Sequence, residues 1–236
     1  MPKLSAKQVE QALRRLANPR KAVFLQRFFR TGPGEYAEGD RLIGVTVPQT
    51  RRIVKKHRDL SRVETLKLLR SPIHELRLAA LFILGEQFKH GSLRSRQKIY
   101  RDYLRNTRFI NNWDLVDTSA PYIVGEYLRD RPRQALYKLA RSKSLWERRI
   151  AMIACIAYIR SGDTRDGLKI AKLLLSDKHD LIHKAVGWML REVGKQDRVV
   201  LERFLEQYAR RMPRTMLRYA IEKFSPTQRR RYLRQV

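Results

Sequence analysis

Apolar residues recur along this chain at intervals of three and four, and no stretch alternates apolar with polar positions for long. That period selects helix almost everywhere, because a helix gathers residues i, i+3, i+4 and i+7 onto one face. In LIHKAVGWMLREV, Leu181, Ile182, Ala185, Val186, Met189, Leu190 and Val193 form one apolar stripe. Trp188 falls off that stripe, on a face shared with Lys184 and Arg191. Ser5 can cap a helix running to about Leu16; Asn18-Pro19 breaks it and opens the next, which ends near Arg30. Pro48 opens VPQTRRIVKKH, and Ser61 with Glu64 has the spacing of a capping box. Between them lies one long glycine-rich loop, TGPGEYAEGDRLIGV. It carries two glutamates and an aspartate and lacks the spacing of a phosphate cradle, so it reads as a shaped connection.

Short breaks then follow at Ser71-Pro72, Gly91-Ser92, Arg131-Pro132, Ser161-Gly162, Ser176-Asp177, Gly194, Met212-Pro213 and Ser225-Pro226. They mark out about six helix pairs of 32 to 40 residues each. A helical repeat of that length, with no strand, predicts an all-α solenoid of HEAT-like antiparallel pairs, curved and with a basic concave face. No linker is visible, so residues 1–236 read as one domain.

Lysine and arginine number 52 against 23 acids, a net charge of +29. Such an excess repels itself and predicts a polyanionic partner, nucleic acid first. The cations are spread along the chain, which predicts a folded basic face over a disordered arm. No apolar run reaches membrane-crossing length and the amino terminus lacks a signal peptide's hydrophobic stretch, so a cytoplasmic protein is expected. The single Cys155, in IAMIACIAYI, reads as a small core hydrophobe.

Chemistry is sought where the repeat is broken. The apolar runs RLAALFILGE, RIAMIACIAY, KAVGWMLRE and RYAIEKF begin with Arg77, Arg149, Lys184 and Arg218. DTSAPYIVGE falls at the same register, at intervals of 40, 32, 35 and 34 residues, and puts Asp117 where the others carry cations. Trp113 lies one helical turn earlier. One alternative is that Asp117 caps a helix Asp117–Leu128, its carboxylate satisfying backbone N–H groups. The other is catalytic. An acid weakens general phosphate binding and helps only where positive charge develops, as on a deoxyribose losing its base. About 4 Å from a unit charge it gains roughly 4 kcal/mol at an effective dielectric near 20. Felt in the transition state, that is about three decades of rate.

RFFRTGPGEYAEGDRLIGV (27–45), NNWDLVD (111–117), LWERR (145–149) and KAVGWMLRE (184–192) together resemble the AlkD-like DNA alkylation repair family, in order and over nearly the whole chain. The resemblance implies a HEAT-like repeat DNA glycosylase acting in base excision repair. Such an enzyme removes cationic N3- and N7-alkylated purines, 3-methyladenine and 7-methylguanine among them, from double-stranded DNA, with no metal or cofactor. By motif, the catalytic carboxylate falls on Asp117 and the tryptophan at the lesion on Trp113. A second tryptophan falls on Trp188 and the phosphate-binding arginine on Arg149, with Arg148 able to exchange roles with it. Phe28 stands where some relatives have tyrosine. Lys184, Arg191 and Arg77 complete the expected DNA-contacting set. A monomer associated with the nucleoid through DNA is expected.

Other signals count for less. His179 and His183 have a metal-compatible spacing without a third ligand. Asp114 reads as a solvated or capping acid. The competing functions are a non-catalytic HEAT-like DNA- or RNA-binding module and a scaffold for an acidic protein.

Overall fold

The computed structural model describes residues 4–234. Helix dominates, and among the described residues the strand-like pairing is one isolated parallel bridge, Arg41 with Ile73. The chain is all-α, as its periodicity predicts. It packs as two compact units, Met1–Ser119 and Ala120–Val236. Each is basic, with 25 lysines and arginines against 11 acids in the first and 27 against 12 in the second.

The first unit holds α1 (Ala6–Arg14), α2 (Pro19–Phe28), α3 (Val47–Lys56), α4 (Arg62–Leu69), α5 (His74–His90), α6 (Leu93–Arg105) and α7 (Trp113–Asp117). Their starts follow the sequence punctuation. Ser5 and Gln8 form a capping box on α1, and Asn18 accepts from the Lys21 N–H with Pro19 at the first helical position. Ser61 caps α4 as expected. Glu64, however, does not close the box: its carboxylate accepts from the Ala6 N–H at 2.7 Å and ties α4 to the start of α1. At the centre lies α5, whose residues from His74 to Leu84 are all buried, with α1, α3, α4 and α6 packed against it.

The glycine-rich loop after α2 is docked onto the first turn of α5. Glu75 turns its buried carboxylate to the backbone N–H groups of Ile43, Gly44 and Val45 at 2.8 to 3.3 Å. Gly44 has φ +81°, and a Cβ there would stand 2.2 Å from the Asn18 carbonyl oxygen. Only glycine meets both demands.

The second unit begins with a π-helical turn, Pro121–Gly125, running into α8 (Glu126–Leu128). It continues through α9 (Gln134–Ala140), α10 (Leu145–Ala154), α11 (Ile156–Ile159), α12 (Arg165–Leu173), α13 (Asp180–Gln196), α14 (Arg198–Tyr208), α15 (Arg214–Ala220) and α16 (Pro226–Leu233). Six of the seven residues of the stripe predicted on α13 are buried, Ile182, Ala185, Val186, Met189, Leu190 and Val193, while Leu181 in the first turn is half-buried. At Gly187 the backbones of α13 and α15 meet, and a Cβ would come within 2.4 Å of the Met216 carbonyl oxygen. Cys155 is fully buried and its thiol is pushed up by that burial, so it is a core residue.

Candidate nucleic-acid interface and its acidic centre

Asn112 caps α7, accepting from the Trp113 N–H at 2.8 Å, and Asp117 is the last residue of this short helix. The predicted start of a helix at Asp117 is therefore corrected: the helix opens four residues earlier, at Trp113, and ends at Asp117. It ends there because the Ser119 N–H turns to the Val116 carbonyl while the Ser119 hydroxyl takes the Leu115 carbonyl, and Pro121 has no N–H to offer the Asp117 carbonyl. Trp113 and Asp117 thus lie one turn apart, as their spacing predicts. Asp117 is half-buried rather than sealed in the core. Its charge reaches the fully buried Tyr103 of α6. Burial pushes that phenol up, a hydrogen bond with Ser119 acts against the rise, and Asp117 adds to it.

Trp113 belongs to an aromatic cluster drawn from α2 and the loop. Phe28 meets it edge-on with centroids 5.9 Å apart, and Phe29 lies 5.4 Å away at 32°. Phe24 stacks on Phe28 at 6.3 Å. Helix α2 has no buried residue at all: Phe28 is 54% exposed and Phe24 64%. Beside them the Tyr36 hydroxyl is hydrogen-bonded with the Trp113 side chain. Burial raises the Tyr36 phenol, against the opposing effects of that bond and of Arg30. Arg30 follows the end of α2 at φ +52°, a left-handed turn that costs a non-glycine residue about 1 kcal/mol or more.

Beneath the cluster lies a buried charge network that the sequence reading missed. His74 stacks on Phe29 at 5.0 Å, with Asp40 at one ring nitrogen and Asp114 at the other. Asp40 also pairs with Arg77. Two expectations are overturned here. Asp114 is buried and held by His74 and the Leu115 N–H, so it is not a solvated acid. Arg77, expected at DNA, is 3% exposed and spent on Asp40 and the Ser71 carbonyl. Its place in the repeat is structural, because α5 is buried on all sides from His74 to Leu84.

The remaining expected contacts belong to the second unit. Arg148 pairs with Asp177 at 2.6 Å and donates to the Ser142 and Lys143 carbonyls. Arg149 is 5% exposed and donates to the Leu181 carbonyl, which fastens α10 to α13. On α13, Lys184 pairs with Asp180 at 2.6 Å, and half-buried Trp188 donates its indole N–H to Glu192 at 3.2 Å. Arg191 pairs with Glu222. His179 caps α13 by accepting from the Leu181 N–H, and His183 bonds the Asp177 carbonyl, so both have helix-start roles. Among the described residues no cluster of metal-ligating side chains occurs, and no helix is long and apolar enough to cross a membrane.

The family model described as DNA alkylation repair enzyme matches residues 9–224. The chain belongs to that family. A solved structure from Enterococcus faecalis, described as a predicted DNA alkylation repair enzyme, superposes with a TM-score of 0.68 over 89% of this chain and 97% of that one. At 14% identity the likeness shows a shared fold. No curated protein matches by sequence. Membership in the DNA alkylation repair family supports a role in alkylation repair.

Proposed function

We propose that the protein is a monofunctional DNA glycosylase that hydrolyses the N-glycosidic bond of cationic N3- and N7-alkylated purines in duplex DNA. The observation that carries the reading is the α7 turn. It presents a half-buried carboxylate, Asp117, one turn from an indole, Trp113, in a unit whose other charges are mostly cationic. In this reading Trp113 packs on the lesion nucleotide, with Phe28 extending the apolar surface. Asp117 faces the deoxyribose as positive charge grows on it and orients the water that replaces the base. An alkylated purine already carries the positive charge that primes it to leave, so no general acid is required. Lys184 and Trp188 contact the DNA backbone. Arg148 and Arg191 reach phosphate by exchanging their present acceptors for it, whereas Arg149, buried on the Leu181 carbonyl, positions α13.

The test is release of free 7-methylguanine or 3-methyladenine from methylated duplex DNA. Intact protein releases base. Asp117→Asn loses about three decades of single-turnover rate at unchanged or slightly tighter DNA affinity, since removing the acid removes phosphate repulsion. Tight, salt-sensitive binding with no base released from any methylated substrate is the behaviour of a binding module, and sinks the proposal.

A further inference from the structure

The aromatic surface rests on charges that the proposed reaction does not use. His74 Nδ1 lies 3.0 Å from an Asp40 carboxylate oxygen and Nε2 lies 2.8 Å from one of Asp114. The three side chains are 2%, 4% and 11% exposed. A ring that faces a carboxylate at each nitrogen satisfies both by donating twice, and donating twice requires the second proton. The surroundings balance. Asp40 reaches in from the loop, Asp114 from α7, and Arg77 from one turn along α5. Two cations thus face two carboxylates in a buried space, while Phe29 from the end of α2 covers the ring without charge. Neighbouring Glu75 turns instead to the N–H groups of residues 43–45, and the hydroxyl of Tyr36 in the loop feels Asp114. Burial works against a charged imidazole; Asp114 and Asp40 outweigh it and raise His74 from 6.5 to about 9.

From this geometry we infer that His74, held as an imidazolium between Asp40 and Asp114, is a positioning residue for Trp113 and the α7 turn. It acts through two routes. Asp114 directly follows Trp113, so the bond to His74 fixes the first turn of α7. The His74 ring also supports Phe29, which packs on Trp113. Loss of the proton leaves one carboxylate facing a lone pair, so either the Asp114 bond that fastens α7 to α5 or the Asp40 bond to the loop is given up. The inference rests on the glycosylase reading for its effect on rate, but not for its effect on Trp113.

Two arms separate the claims. In full-length ¹⁵N-labelled protein the His74 ring signals are assigned by their absence in His74→Gln. Both ring nitrogens are protonated near pH 7.5, and the ring titrates at about 9. The Trp113 indole N–H signal shifts with the same midpoint. A ring that is neutral near pH 7.5, or a Trp113 signal indifferent to its titration, overturns the inference. The second arm is single-turnover excision from a 7-methylguanine duplex, with spontaneous loss subtracted. The rate of the intact protein falls along the same titration. His74→Gln lowers the rate about tenfold, keeps duplex affinity within about twofold, and loses that alkaline limb. An unchanged rate and profile in His74→Gln overturns the inference. Where His74→Gln does not fold, Asp40→Asn lowers both the ring midpoint and the excision limb together, and a limb that stays put overturns it. Should the intact protein release no base, the glycosylase reading falls while the titration arm still decides the role of His74.

Discussion

Phe29 and Trp113 lie 5.4 Å apart at 32°, and the pair joins the end of α2 to the start of α7. Phe29 is 8% exposed whereas Trp113 is half-buried, so one ring is a support and the other is available to a ligand. Phe29→Ala removes the support and costs about 3 kcal/mol of stability, read by urea unfolding. Trp113→Ala costs less stability. It slows excision of an alkylated purine more than it weakens duplex binding, which separates the two roles.

Lys184 and Arg77 occupy the same register of the repeat and behave oppositely. Lys184 is half-exposed and paired with the exposed Asp180, so Lys184→Ala weakens all duplexes alike and lowers the salt slope of binding by about one. Arg77 is buried on Asp40, and Arg77→Ala leaves that carboxylate without its guanidinium. It costs about 3–5 kcal/mol of stability and leaves the salt slope of the folded fraction unchanged.

Close helix packing in the second unit has a single-atom test. Gly187→Ala drives a methyl into the Met216 carbonyl, so α13 and α15 must separate. The expected loss is about 1–3 kcal/mol, seen as a lowered thermal midpoint, and it extends to the placement of neighbouring Trp188.

Stability depends on pH in a direction set by His74 and Asp40. His74 titrates at about 9 in the folded protein against 6.5 ordinarily, so its contribution is complete below about 6.5 and lost as pH rises through 9. Asp40 moves the other way. Although burial opposes its charge, the hydrogen bond to His74 and then Arg77 hold it below the usual carboxylate value of 3.8. Its contribution is present above that value and lost on acidification. Urea midpoints across the pH range therefore decline on both sides of a plateau, and His74→Gln flattens the alkaline decline.

The sequence shows these features unevenly, for physical reasons. The Trp113–Asp117 turn was legible because a four-residue spacing fixes a shared helix face wherever a helix forms. The start of that helix was not, since both Asn112 and Asp117 are good caps and the choice depended on a proline still further along. Asp114 and Arg77 were misread as exposed because charge alone carries no record of a buried partner forty residues away. A usable signal did exist. HELRLAALF is apolar almost all round, so a polar group in its first two turns must find partners inside the protein. That rule would have picked out His74, Glu75 and Arg77 together. Tyr36 had no such signal, lying in an aperiodic loop.

The three N–H groups gathered by Glu75 make residues 43–45 a fixed mooring, whereas a Cβ at Gly34 or Gly39 would meet open space. Variation in length between relatives should therefore accumulate around the exposed positions 33–35, ahead of Tyr36 and the buried Ala37, where the chain can bulge outward at little cost. A single residue added beside Gly44 would instead drag Asp40 off His74 and loosen the floor under the indole.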